Sequence, residues 1–235
     1  MDWIKSFSDA YERRARLYPM LLAVSPLLVL SIAYFGALKF DLSAAIPTVV
    51  VLAVATLANG LARDAGNLLQ KQLYLEWGGP PTTLLLRDRD TTVDLITKQR
   101  YHGFLEASVP GLSMPSIEDE RRDPDRADIA YESATKWLRD NTRDHKKYAL
   151  LFEENVAYGF RRNLLSLRVF GLIVSALAIG LCGLWCWQDA VNGIGQGRWI
   201  VFGFSGCAIV AWLFFVTKDY VKRAAFDYAI SLLAT

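Results

Sequence analysis

Four long stretches of the sequence contain no Asp, Glu, Lys or Arg, and they constrain the fold more than any other feature. An α-helix rises about 1.5 Å per residue, so roughly 20 apolar residues cross the ~30 Å hydrocarbon core of a bilayer. A soluble core has no need to segregate charge in this way. The sequence therefore predicts an all-α integral membrane protein with four transmembrane helices in two hairpins, at Tyr18 to Leu38, Leu42 to Ala62, Val169 to Trp187 and Trp199 to Val216.

The charged residues are concentrated in the rest of the 235-residue chain. Most of them lie between the two predicted hairpins, where segments of good helix formers are separated by Gly and Pro. The predicted divisions are an N-terminal amphipathic segment with the first hairpin (1–62), a mainly helical cytoplasmic domain (63–168), the second hairpin (169–217) and a cytoplasmic C-terminal tail (218–235).

The distribution of Lys and Arg predicts the orientation in the membrane. Cytoplasmic flanks of transmembrane helices carry an excess of these residues. The two predicted outer turns, 39–41 and 188–198, contain only Lys39 and Arg198, whereas the N-terminal segment, the central domain and the tail are all richer in them. Both termini and the central domain are therefore predicted to face the cytoplasm, in a multi-pass protein of the bacterial inner membrane.

The lack of ionisable side chains within the predicted spans bears on function. Ion-coupled carriers generally hold such a group near the bilayer midplane, so a carrier is disfavoured. A pore formed between copies of the chain and lined by Ser, Thr, Asn59 and backbone groups is favoured over one within a single chain, and a homo-oligomer in contact with the bilayer is predicted. The net charge of +2 is small and no basic tract carries interleaved aromatics, so nucleic acid is not predicted as a partner.

The central domain has recognisable helix signals. The second span is predicted to continue as a helix to Trp77, where Gly78 to Pro81 stops it. The short apolar run from Thr82 to Leu86 is compatible with a strand, although a lone strand is marginal. Thr91 with Asp94 resembles a capping box that opens the next helix.

The second half of this domain is predicted as a long loop followed by two helices. Residues 107–126 are rich in Pro and charge and are predicted to form one extended loop. Asp123 is predicted to cap the following helix, with Pro124 at its first position. A last helix, from about Asp144, is predicted to lead into the third span. The apolar face predicted for the helix after Pro124 consists of Ile129, Ala130, Ala134, Trp137 and Leu138.

The turn from Trp77 to Thr83 is the most distinctive candidate for a ligand site. Paired glycines allow close backbone approach, and two hydroxyls follow a rigid Pro-Pro, so the turn could hold an anion or a nucleotide phosphate. It lacks the glycine and lysine spacing of the established phosphate-binding loops, and a helix stop with a capped restart is the alternative interpretation. The candidate residues in this turn are Trp77, Gly78, Gly79, Thr82 and Thr83.

A second candidate group lies on the last helix of the domain. Glu153, Glu154, Arg161 and Arg162 are predicted to lie on roughly one face, where they could form an ion network between subunits or line a vestibule. The alternative is a solvated face whose arginines meet lipid phosphates.

No catalytic or metal-binding pattern accompanies these candidates. His102 and His145 lack the spacing of metal ligands and are predicted to be exposed or capping residues. The sequence contains no Gly-x-Ser-x-Gly motif of a serine nucleophile. A Cys/His nucleophile pair is not predicted either, because the three cysteines lie in or beside the apolar stretches. The sequence therefore predicts neither an enzyme nor a bound metal or cofactor.

Four local patterns are distinctive: Trp-Gly-Gly-Pro-Pro-Thr-Thr (77–83), Thr-Arg-Asp (142–144), Leu-Phe-Glu-Glu-Asn (151–155) and Tyr-Gly-Phe-Arg-Arg-Asn (158–163). Together they resemble a group of uncharacterised bacterial membrane proteins with four spans. The resemblance covers mainly residues 63–168 and implies this membrane layout but no activity. Hairpins joined to a small cytosolic domain are also similar in architecture to membrane effectors of bacterial anti-phage systems.

Two hypotheses follow from the sequence. In the first, a homo-oligomeric membrane effector receives a nucleotide or protein ligand on its cytoplasmic domain, which moves the attached helices and opens a pore or perturbs the bilayer. In the second, the chain is a non-conducting scaffold that docks a cytosolic partner through the 107–126 loop.

Overall fold

The computed structural model describes residues 10–37, 59–188 and 195–235. These residues form α-helices and short π-helical segments, with no strand among them, which confirms the all-α prediction for this part of the chain. Most of the second predicted span, Leu42 to Ala62, lies outside the described residues, as do the 39–41 turn and most of the 188–198 turn. The fourth span and the hairpin arrangement therefore stay predictions.

The helices are numbered here in chain order. They are α1 (Tyr18–Ala37), α2 (Asn59–Trp77), α3 (Pro81–Leu86), α4 (Leu95–Ser108), α5 (Ile117–Arg122), α6 (Pro124–Asn141), α7 (Ala149–Ser166), α8 (Arg168–Gln188), α9 (Gln196–Val210) and α10 (Lys218–Leu233).

The chain divides into two compact units. The first, called here the spanning unit, comprises Met1–Leu69 and Gly159–Val221. Within it α1, α8 and α9 pack against one another in pairs. Three helices of this unit are long and apolar enough to cross a membrane, at Glu12–Tyr34, Arg168–Gln188 and Gln196–Phe215. They coincide with three of the four spans predicted from the sequence.

The second unit, called here the helical unit, comprises Gln70–Tyr158 and Lys222–Thr235. Its core is formed by apolar side chains of α3, α4, α6 and α7, and by Ala229 and Leu232 of α10. The sequence predicts a tail for residues 218–235, whereas the structure has a helix there whose apolar face is buried in this core. Burial of Ala229 and Leu232 stabilises the unit in the way that any apolar burial does.

The run from Thr82 to Leu86 is part of helix α3, so the strand interpretation is wrong. Pro80 precedes the helix in an extended conformation, and Pro81 supplies the fixed φ that suits the first helical position. The cap of the next helix is Asp94, whose side chain accepts a hydrogen bond from the Thr97 amide at 2.9 Å. The predicted role of Thr91 as that cap is therefore also wrong.

The segment 107–126 is not one extended loop. It contains α5, which a reciprocal capping box between Ser116 and Asp119 holds at its N-terminus. The prediction for the start of α6 is confirmed, since Asp123 accepts from the Arg126 amide at 3.1 Å and Pro124 is the first helical residue.

The buried face of α6 differs from the predicted one. Ala134 and Leu138 are buried as predicted, but Ile129 is 68% exposed, and the unpredicted Ala127 and Tyr131 are buried. The Tyr131 hydroxyl donates to Glu120 at 2.8 Å, a buried contact that the apolar pattern does not reveal.

Helix α7 starts later than predicted. Residues 145–148 form a turn in which Asp144 accepts from the Lys146 amide at 2.9 Å, and α7 begins at Ala149. At its other end α7 stops at Ser166, and Leu167 separates it from α8.

Candidate functional site

The helical unit contains a cavity of about 430 Å³. This volume falls in the roughly 300–1,000 Å³ range of small-molecule sites in proteins. One wall is the Pro-Pro-Thr-Thr part of the candidate turn, Pro80 to Thr83, and α6 forms the facing wall. The structure thus places part of the most distinctive sequence motif at a cavity.

Thr83 is the buried polar residue of the first wall. It is 1% exposed, and its Oγ1 has no hydrogen-bond partner among the described residues. Burying a hydroxyl without a partner costs on the order of 1–3 kcal/mol in proteins. A group at the cavity that hydrogen-bonds Thr83 would recover that free energy.

The α6 wall carries charge. Glu132, Lys136 and Arg139 line the cavity at helical spacing, and their side chains are exposed. Among the described residues none of the three forms an ion pair or a side-chain hydrogen bond. The two cations outnumber the single carboxylate, so this wall favours an anion.

Three tyrosines, Tyr74, Tyr158 and Tyr228, also line the cavity. Tyr158 donates to the Tyr74 hydroxyl at 3.3 Å, and Gln70 Nε2 donates to the same hydroxyl at 2.9 Å. The rings of Tyr158 and Tyr228 are nearly parallel, at an interplanar angle of 13° with centroids 6.3 Å apart. Aromatic faces of this kind stack on planar rings.

Arg87 holds the candidate turn in place. Its guanidinium donates to the Gly78 carbonyl at 2.9 Å and, through Nε, to Asp128 Oδ1 of α6 at 2.8 Å. Gly79 has φ +146°, and a Cβ there would lie 3.0 Å from Arg87 Nη2. Glycine at this position is therefore required both by the backbone and by the approach of the arginine.

Two buried charges stabilise the loop that follows α3. Lys98, 2% exposed, donates to the Arg87 carbonyl at 2.6 Å and also to the Asp90 carbonyl. Glu120, 3% exposed, accepts from the Asp88 amide at 2.7 Å and from the Tyr131 hydroxyl at 2.8 Å. Burial, reinforced by the Glu120 carboxylate, raises the pKa of Tyr131, which therefore stays a donor.

The other residues predicted in the turn lie outside the cavity lining. Trp77 packs against Tyr74, with ring centroids 6.0 Å apart, and Gly78 contributes its carbonyl to Arg87. Of the candidate residues, Thr82 and Thr83 line the cavity.

The four residues predicted on α7 belong to two different units. Glu153 and Glu154 lie in the helical unit, and neither lines the cavity. Arg161 and Arg162 lie in the spanning unit. Arg161 donates to the Tyr220 carbonyl at 3.3 Å and stacks over the Tyr220 ring at 4.4 Å.

The Tyr-Gly-Phe-Arg-Arg-Asn pattern forms a helix junction within the spanning unit. Asn163 is fully buried and donates to the Ala15 carbonyl at 2.7 Å. Ala15 lies in the π-helical segment Glu12–Leu17, which continues into α1 and is called here the N-terminal helix. A Cβ on Gly159 would lie 2.8 Å from the Tyr11 hydroxyl, and one on Gly66 would lie 2.2 Å from Asn163 Oδ1. These small residues allow the close approach on which helix packing in membranes depends.

His102 has a capping role, as predicted, because its Nε2 lies 2.8 Å from the carbonyl of Leu86, the last residue of α3. Within the described ranges no group of three or more His, Cys, Asp or Glu side chains has the arrangement of a metal site.

The sequence gives little sign of the other cavity residues. Glu132, Lys136 and Arg139 have the spacing of an ordinary solvated helix face, and Tyr74, Tyr158 and Tyr228 are far apart in the chain. Comparison of the chain with models of known protein families, with curated proteins and with solved structures gives no match.

Proposed function

We propose that this protein is a homo-oligomeric effector of the bacterial inner membrane that binds a small ligand in the cavity of its helical unit. Ligand binding then opens a pore between copies of the chain or perturbs the bilayer. The apolar helices of the spanning unit support the membrane part of this proposal, and the cavity supports the ligand part.

The observation that carries the proposal is that the three cavity tyrosines belong to three different helices. Tyr74 comes from α2, Tyr158 from α7 and Tyr228 from α10, and each of these helices contributes residues to both units. A ligand that contacts all three rings therefore touches every described helix that continues from the helical unit into the spanning unit. Such a ligand has a direct route to changing the packing of the membrane helices.

A ligand shifts a conformational equilibrium only by its difference in affinity for the two states. The rings of Tyr158 and Tyr228 supply that difference, since a change in their separation moves α7 relative to α10. The helix junction around Asn163 and Tyr220 lies further along these same two helices. Movement of either helix would therefore be transmitted to contacts of the N-terminal helix.

The test is dye release from liposomes that contain the purified chain. Addition of candidate nucleotides and other phosphorylated metabolites is expected to release the dye, and the variant Tyr228→Ala is expected to abolish release while still inserting into liposomes. A variant at an exposed residue away from the cavity, Lys146→Gln, serves as the matched control. The absence of release with every compound, from a chain that is monomeric by light scattering, would contradict the proposal.

The scaffold hypothesis gives a different result in the same preparation. Deletion of residues 107–126 would remove the buried Glu120, so the docking test is better made with the exposed pair Arg121→Glu and Arg122→Glu. Loss of a co-purifying partner in this variant, together with no dye release from the unaltered chain, would favour the scaffold.

A further inference from the structure

We infer that the ligand of the cavity is a phosphorylated compound with a planar ring, of the nucleotide class. This inference rests on the proposed function, because it names the chemistry of the ligand that the helical unit would receive. It is carried by three features of the cavity: cations without partners, parallel aromatic rings and a buried hydroxyl without a partner.

The cations call for an anion that makes several hydrogen bonds. Lys136 and Arg139 lie three residues apart on α6, and neither forms an ion pair with a described carboxylate. A phosphate group accepts hydrogen bonds from ammonium and guanidinium groups together, and such charge-assisted bonds are roughly twice as strong as neutral ones. Because the cavity wall also contains Glu132, a ligand with negative charge alone would not use the whole site.

Glu132 and Thr83 are suited to the uncharged part of the ligand. A carboxylate accepts hydrogen bonds, so Glu132 selects a hydroxyl or amino group such as those of a sugar or a base. Thr83 Oγ1 is able to both donate and accept, and it has no described partner. A compound with polar groups on both sides of a ring satisfies both residues.

The aromatic wall selects the ring itself. Tyr158 and Tyr228 are nearly parallel, and Tyr74 lies beside Tyr158 through its hydroxyl. Stacking on such rings is tolerant of the identity of the base, because every base has a π-face. The volume of about 430 Å³ is that of a small-molecule site, which makes inorganic phosphate too small to contact all of the walls.

The phosphate chemistry alone is shared with the headgroups of anionic lipids. A headgroup such as glycerol phosphate supplies the anion but no planar ring. Binding of the two compounds to the same protein therefore separates the two sources.

The experiment is calorimetric titration of the full chain in detergent micelles with adenosine diphosphate, adenosine, glycerol phosphate and inorganic phosphate. Adenosine diphosphate is expected to bind at least tenfold more tightly than each of the other three. Lys136→Gln and Arg139→Gln are each expected to weaken it by about tenfold, the loss of one charge-assisted interaction. Lys146→Gln and Arg126→Gln, the second of which lies on α6, are matched controls with unchanged affinity.

A second variant separates recognition from folding. Thr83→Val removes the hydroxyl without a partner, so it is expected to raise the melting temperature of the ligand-free chain and to weaken adenosine diphosphate binding severalfold. Thr135→Val is the control, because Thr135 is equally buried and also lines the cavity but donates to the Glu132 carbonyl at 3.1 Å. Its melting temperature is not expected to rise.

Equal binding of adenosine diphosphate and glycerol phosphate would overturn the inference in favour of a lipid headgroup. No binding of any probe, or unchanged binding in Lys136→Gln and Arg139→Gln, would also overturn it. Nucleotide binding that meets these expectations without dye release from liposomes would contradict the proposed pore and leave the ligand class standing.

Discussion

The two units of this protein are both helical, but they are stabilised in different ways. In the spanning unit the close contacts involve small residues, as where Gly171 lies against the ring of Trp212. Both units bury charged residues, Arg162 and Arg198 in the spanning unit and Lys98 and Glu120 in the helical unit, where several hydrogen bonds hold each of the last two. The contact at Gly171 is steric, whereas the contacts of Glu120 are hydrogen bonds.

In a bilayer the lipid tails are as apolar as the helix surfaces, so association depends on close van der Waals packing. In water, apolar burial drives folding and leaves room for buried charges whose partners are backbone groups of nearby loops. Variants of the two units are therefore expected to lose stability for different reasons, overpacking in the spanning unit and lost hydrogen bonds in the helical unit. The following predictions test that difference in order of decreasing effect.

The largest effect is expected from Glu120→Ala. This change leaves the Tyr131 hydroxyl and the Asp88 amide without their acceptor inside the helical unit, at a cost of about 3 kcal/mol in its free energy of unfolding. Hydrogen exchange should show faster exchange in α3, α4 and α6 and unchanged exchange in α8. Glu118→Ala, an exposed neighbour on the same helix, is the control. Equal effects of the two variants would mean that the buried carboxylate is not stabilising.

Gly171→Ala is expected to destabilise the spanning unit by about 2 kcal/mol through overpacking. The new Cβ would lie 2.3 Å from the Trp212 ring, which is rigid and buried. Gly180→Ala on the same helix is the matched control, since a Cβ there meets nothing within 4 Å. Thermal melting in detergent micelles measures the difference, and a double variant with Trp212→Leu should recover part of the loss. Identical melting of the two alanine variants would refute the close-packing account.

A smaller effect, about 1 kcal/mol, is expected from Arg87→Lys. Lysine keeps the charge but cannot donate to Gly78 and to both oxygens of Asp128 at once. Because Arg87 fixes the turn that forms one cavity wall, ligand affinity should fall together with stability. Arg122→Lys, whose ion pair with Asp119 is exposed, should change neither quantity. Normal ligand affinity in Arg87→Lys would show that the cavity does not depend on this contact.

The smallest effect on stability is expected from protonation of Asp94 at low pH. Hydrogen bonds from Thr97 lower the pKa of Asp94 from its ordinary value of 3.8. A carboxylate with a lowered folded-state pKa contributes stability above 3.8, and this contribution is lost as the pH falls through the folded-state value. Asp94→Asn keeps a capping side chain that does not titrate. Melting curves between pH 5 and pH 2 should therefore show a shallower loss for Asp94→Asn, and parallel loss in both proteins would contradict the prediction.

Patterns of neighbouring residues correctly predicted the elements that depend only on neighbouring residues. The Asp123 cap with Pro124 needs only residues next to each other, and the structure has it as expected. The run from Thr82 to Leu86 was open to two interpretations, because a short apolar segment does not distinguish a strand from a buried helix. The helix prevails because its apolar side chains, Leu85 and Leu86, meet the helices of the core, and no strand among the described residues is there to pair with it.

The candidate site was less predictable than the fold. Thr82 and Thr83, which the unusual turn singles out in the sequence, line the cavity. The charged residues of the facing wall on α6 have the helical spacing that most solvated helix faces share. Glu153 and Glu154 do not line the cavity, since a shared helix face does not determine what that face meets.

The sequence by itself determined that long apolar helices are present, because the requirement of a bilayer for uncharged stretches depends on composition and length alone. Only the tertiary structure decided which polar residues are buried and where a ligand could bind. Lys98, Glu120 and Thr83 are buried through contacts with residues that are distant in the chain or in other elements. Such burial depends on how helices pack together, which local residue patterns do not specify.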